Sequence, residues 1–131
     1  MTSVCATCGN HFADPRPDVC VVCADERQWV PPGGQRWTTL ADLAAAGHRS
    51  DVREVEPGLT GIGADPPVAI GQRSLLVATP EGNLLWDPSG FIDDAAVDAV
   101  RAAGGLSFVT ASHPHFHGSM IKFCETFAAL P

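Results

Sequence analysis

Two sets of side chains able to bind metal lie at opposite ends of the 131-residue chain. Near the N-terminus, "CATC" and "CVVC" place Cys5, Cys8, Cys20 and Cys23 in a C-x2-C-x11-C-x2-C pattern. Each CxxC turn wraps two thiolates around one ion, and two such turns complete a tetrahedron. The spacing predicts a structural Zn²⁺ ion with four thiolate ligands and no open coordination position. Such a site folds the chain and does no chemistry. Gly9 suits the tight turn after the first pair. The alternatives are disulfides or a redox CxxC, but a redox pair stands alone beside a βαβ pattern. The fifth cysteine, Cys124, falls between Phe123 and Phe127 and is expected to be a buried, inert thiol.

The second set is "ASHPHFHGS", residues 111–119, with His113, His115 and His117 at alternate positions. Alternate side chains of an extended segment project to one side. Three imidazoles would then converge, with Phe116 on the other side. Pro114 disfavours a helix and keeps His113 extended. Imidazole is the commonest metal-binding side chain at neutral pH. The trio predicts a second ion, zinc or a similar metal. The alternative is a surface loop that happens to be rich in histidine.

The elements that would position these residues are visible in outline. Residues 1–36 hold four of the five cysteines and close on the linker "VPPGGQ", residues 30–35. Residues 37–131 form the second unit. "TTLADLAAAGH" predicts a short helix with Thr38 or Thr39 as N-cap and Gly47 as its stop. "REVEPGLTGIGA" alternates and breaks at Pro57-Gly58, which predicts a hairpin or two short strands. Apolar runs at residues 74–78 and 83–86 flank "TPEGN" and predict an antiparallel hairpin. "DDAAVDAVRAAGG" predicts a helix. Asp93 and Asp94 open it, Ile92, Ala96, Val97 and Val100 line one face, and Gly104 ends it. "LSFVTAS" is a buried strand by its apolar, β-branched run, and the histidines follow its C-terminal end. "SMIKFCETFAAL" is a last helix with Ser119 as its N-cap. Trp86 is assigned to core packing, and Trp29 and Trp37 to seating the cysteine module.

"VTASHPHFHGS" resembles the HxHxDH metal motif that follows a buried strand in the metallo-β-lactamase superfamily. Upstream, "SLLVATPEGNLLWDPSG" looks like that superfamily's early hairpin and its Asp-containing turn, and "DDAAVDAVRAAGG" falls where the family has a crossover helix. The resemblance runs from about Val52 to the C-terminus. It implies an α+β fold: an N-terminal zinc-ribbon-like module, then a partial αββα metallo-β-lactamase-type half-sandwich. It also implies a metal-dependent hydrolase acting on a small-molecule substrate. By the same resemblance His113 and His115 match the first two ligands of the family's first metal, and Asp87 matches the aspartate that orients the site. His117 stands where the family has an aspartate on the second metal, and would serve as a third ligand or proton carrier. Gly118 stands where the family has its last histidine. The family's second half has no counterpart here, so the resemblance implies either a truncated product or a second copy or another chain covering the sheet face. A non-catalytic, zinc-stabilised binding or assembly module is the alternative function.

Composition sets the outer limits. A hydrophobic fraction of 45% is globular, and a formal charge of −7 opposes nucleic acid as a partner. No apolar run reaches the ~18 residues a membrane span needs. No basic-then-apolar leader is visible, so a cytoplasmic location is expected, where paired cysteines act as ligands before they form disulfides.

Overall fold

The computed structural model describes residues 2–131. These described residues are mixed α+β, with two sheets and three α-helices. The small sheet comes first. Its strands are β1 (Ser3–Cys5), β2 (His11–Phe12) and β3 (Trp37–Thr38), in the order β2-β1-β3 and all antiparallel. β3 thus ties the residues beyond the linker back to the cysteine-bearing segment.

α1 (Leu40–Ala45) follows, with Thr39 as N-cap accepting from the Asp42 amide at 3.0 Å. The main sheet begins with β4 (Arg49–Glu56) and β5 (Leu59–Asp65), joined at Pro57-Gly58, where Gly58 has φ +80°. β6 (Ser74–Val77) and β7 (Leu84–Trp86) form the second hairpin, with Leu75 opposite Trp86 and Val77 opposite Leu84. α2 (Asp94–Ala102) crosses over to β8 (Phe108–Thr110), which lies parallel to β7. The strand order is β4-β5-β6-β7-β8. α3 (Met120–Phe127) is the last helix.

One face of this sheet holds the core. Ile62, Leu76, Leu85 and Val109 meet Ala96 and Val100 of α2 and Phe123 of α3. Period-2 alternation sends the neighbours of these strand residues to the opposite face. There the pairs Leu75–Trp86 and Leu84–Phe108 lie side by side. Trp86 is 44% exposed and Phe108 48%. Trp86 therefore does not join the core, because Leu85 takes the inward position on this short strand. Trp29 is likewise exposed, whereas Trp37 packs edge-on against Phe12, with ring centres 5.3 Å apart.

α3 ends three residues sooner than its apolar pattern predicts. Ala128 turns left-handed at φ +51°, and Leu130 bridges Phe108. Ser119 stands at its N-cap position without capping it; its hydroxyl donates to the Ser89 carbonyl at 2.7 Å. Cys124 is half-buried against the core, and burial, then Glu125, pushes its thiol up. Among the described residues no helix is long and apolar enough to cross a membrane.

Candidate metal centres

The four N-terminal cysteines come together. Cys5 ends β1, and the first turn closes with the Gly9 amide on the Cys5 carbonyl at 2.8 Å. Gly9 holds φ +79° there, a conformation that favours glycine. The second turn closes with the Ala24 amide on the Cys20 carbonyl at 2.9 Å. All four thiols are buried, and their sulfurs lie within 4.8 Å of one another. Cys5 and Cys23 sulfurs are 3.5 Å apart, and those of Cys8 and Cys20 are 3.7 Å apart. A tetrahedron with Zn–S bonds of about 2.3 Å has edges of about 3.8 Å. The cluster thus has the shape and the donor chemistry of a four-thiolate metal site. Phe12, Val22, Val30 and Trp37 pack around it.

The thiols alone resist a common ionised state. The Cys8 thiol, hydrogen-bonded to Cys5, lowers Cys5 to about 5. The same bond, and then burial, pushes Cys8 far up. Burial followed by the Cys5 hydrogen bond pushes Cys23 up to about 12. A buried cation is what would let all four ionise together.

The histidine loop begins where parallel β7 and β8 end together. Asp87, left-handed at φ +56°, follows β7, and its amide donates to the Thr110 carbonyl at 2.8 Å. Its carboxylate accepts from the Ser112 amide at 2.7 Å and the Ser112 hydroxyl at 2.9 Å. Asp87 therefore anchors the start of the loop. Beyond Ser112, His113 is extended, but residues Pro114–Phe116 make a 3-10 turn. Proline is barred from a helix interior yet suits a first helical position, so Pro114 starts the turn it was expected to prevent.

That turn changes which histidines meet. It stacks the His113 and His115 rings with centres 4.5 Å apart and brings their Nδ1 atoms to 2.6 Å. The His115 amide donates to His113 Nδ1 at 3.3 Å. Burial first, then the neighbouring His113, lowers the pKa of His115. His117 leaves the group: it adopts the αR conformation and lines a separate cavity with His11, Phe12 and Met120. Among the described residues, only the four cysteines gather three or more such ligand atoms. Position 118 has no room for a side chain. Gly118 has φ +41°, and a Cβ there would run into the Pro88 carbonyl oxygen.

The cysteine module leans on this loop. Asn10 donates to the Pro114 carbonyl at 3.0 Å and accepts from the Gly118 amide at 2.7 Å. Gln72 donates to the carbonyls of Cys8, at 2.6 Å, and His115, at 3.2 Å. Gln28 Oε1 meets His115 Nε2. Between module and loop lies a cleft of about 460 Å³, bordered by Val21, Val22, Asp25, Arg27, His113 and His115. No spacing in the sequence flags these amides, since Asn and Gln carry no motif of their own here. They show only once the chain is folded.

No family model matches the chain. It is 36% identical over 130 residues to the uncharacterized protein YmaE of Bacillus subtilis (strain 168). That alignment takes in 96% of this chain and 47% of YmaE. The chain thus spans about half the length of the curated relative it matches.

Proposed function

We propose that the chain forms the metal-loop half of a metallo-β-lactamase-like hydrolase, preceded by a zinc-ribbon-like module whose four-cysteine site holds structural zinc. One observation carries this reading. β7 and β8 are parallel, joined by the α2 crossover, and end at one edge where Asp87 locks Ser112 and the Nδ1 atoms of His113 and His115 meet at 2.6 Å. Open sheets place their sites at such strand ends. A relative about twice as long suits a half-sandwich that a second half completes.

In this reading His113 and His115 are the ligands of a second ion, most naturally zinc. A zinc ion held by them would supply water activation, at a pKa of ~7, and Lewis acidity toward a substrate oxygen. Asp87 positions the loop through Ser112, each carboxylate oxygen accepting one of its two hydrogen bonds. His117 keeps only the role of proton carrier, from the adjoining cavity. The cleft between Val21–Val22 and the two rings receives the substrate. The exposed face bearing Trp86 and Phe108 takes a second sheet, from a second copy or another chain.

A non-catalytic module is favoured by a different observation: the site has two imidazoles, and position 118 admits no third. Metal analysis and turnover separate the two. The hydrolase reading expects two zinc ions per chain, with His113→Ala and His115→Ala each losing one of them. It also expects cleavage of ester, thioester or phosphodiester substrates that His115→Ala abolishes while the fold persists. One zinc per chain, unchanged in both variants, leaves the non-catalytic module.

A further inference from the structure

We propose that the four-cysteine site gates the cleft: an ion held by the thiolates locks the first knuckle, and Asn10 and Gln72 pass that order to the backbone of the histidine loop. This gating rests on the reading of the four cysteines as a metal site. It needs no ion at the histidines.

The first knuckle and the loop are joined by buried hydrogen bonds. The Asn10 carbonyl closes the knuckle by accepting from the Cys5 amide at 2.9 Å. The Asn10 side chain reaches both ends of residues 114–118, donating to the Pro114 carbonyl at 3.0 Å and accepting from the Gly118 amide at 2.7 Å. The His11 amide donates to the Gly118 carbonyl at 3.2 Å. Gln72 joins the Cys8 and His115 carbonyls through one amide nitrogen. Asn10 is 4% exposed and Gln72 7%, so breaking these bonds leaves buried polar groups unpaired. Beside them two backbones touch: a Cβ on Gly90 would lie 2.7 Å from the Gly9 Cα.

The knuckle has little else to hold its shape. The strands of its sheet, β1 to β3, are three, two and two residues long, too short to stand alone. Small cysteine modules take their folding free energy from the ion they bind. Loading the site therefore fixes the knuckle from Cys5 to Asn10, and through Asn10 and Gln72 it fixes the loop. The cleft of about 460 Å³ has Val21 and Val22 on the cysteine side and His113 and His115 on the loop side. Both walls are in place only while the ion is. By linkage the effect is mutual: a docked loop tightens the hold on the ion.

The test uses the full chain, loaded with zinc or stripped by a chelator, and reads amide exchange by NMR. With zinc bound, the His11 and Gly118 amides should exchange slowly. Stripping should speed both by roughly 10-fold or more, while the Val109 amide of β8, bonded to the Leu130 carbonyl at 2.8 Å, stays slow. Asn10→Ala with zinc bound should release the Gly118 amide in the same way. Gly90→Ala alters no cysteine, yet by wedging the seam it should weaken zinc binding at least ~5-fold in chelator competition. Cobalt(II)–thiolate absorption, present in both variants, shows that the cysteine site persists. Loop amides that stay slow after stripping, a Val109 amide that speeds up as much as they do, or equal zinc affinity in Gly90→Ala each overturn the proposal. If one ion binds at the cysteines and the loop ignores it, the gating alone falls; if none binds there, the metal-site reading falls with it.

Discussion

At the scale of single residues, the structure distinguishes groups that bind from groups that only fit. Gly118 fits. A methyl group there would drive into the Pro88 carbonyl oxygen and lie 2.6 Å from that of Ser89, on a backbone already at φ +41°. Strain and overlap together predict that Gly118→Ala costs about 2–4 kcal/mol, read from the urea midpoint. His11 is a second such residue. Its Nε2 meets the Gly90 carbonyl at 2.8 Å, and its Nδ1 is buried with no hydrogen-bond partner. A proton on Nδ1 would have nothing to bond. Burial accordingly lowers the His11 pKa, more than the Gly90 contact raises it. The sign follows from linkage: above the unfolded value of ~6.5 both states are neutral, and below it only the unfolded state gains the proton. Stability should therefore fall as pH drops below ~6.5. The matching His11→Gln variant should lose less over the same interval in chemical denaturation. Equal pH slopes for the two proteins would remove His11 as the cause.

At the scale of elements, caps and turns do most of the placing. Asp93 caps α2 by accepting from the Ala96 amide at 3.0 Å, and it also accepts from the Ser50 amide of β4 at 2.9 Å. Burial raises its pKa, but the hydrogen bonds from Ser50 and the helix amides outweigh burial and the net shift is downward. One carboxylate thus joins the crossover helix to the edge strand. Asp93→Ala should cost about 1–2 kcal/mol, and Asp93→Asn less, by thermal unfolding. This helix could be read from the sequence because a cap, an apolar face and a glycine stop all agree. So could the β6–β7 hairpin, whose apolar runs flank a Gly-containing turn. The two cysteine knuckles were equally clear, since thiol spacing alone brings the ligands together. The histidine loop was not. Alternation assumed an extended chain, whereas Pro114 begins a 3-10 turn, so His113 and His115 meet and His117 departs. Trp86 misled for a different reason: on a three-residue strand, apolar character does not say which face is covered. The clamp of Asn10, Gln28 and Gln72 has no local pattern, because each amide bonds to backbone or side chain far away in sequence.

At the scale of the whole molecule, two features govern behaviour: the cysteine site that holds the first module, and the sheet face left open. At pH 7, Cys8 and Cys23 are protonated, their thiols raised far up and to about 12. Zinc loading must expel those protons, so affinity should fall as pH falls. Calorimetric titration in buffers of differing ionisation enthalpy reads the release directly. Cys20→Ser should lose the ion, and the Asn10 and Gln28 contacts to the histidine loop with it. The open face poses a separate problem. Leu75–Trp86 and Leu84–Phe108 form two adjacent apolar pairs across three strands, with Val55 exposed nearby. Contiguous apolar surface of this kind drives association. The opposite face is already filled by α2 and α3, so of the two faces of the sheet this is the one a second copy would cover. Sedimentation velocity should therefore show reversible self-association that strengthens with salt, as apolar contacts do in a chain of net charge −7. Trp86→Lys with Phe108→Glu should abolish it and leave the fold intact, because neither side chain reaches the core. A wild-type chain that stays monomeric at high concentration, or a double variant that associates equally well, would rule out this face as the contact.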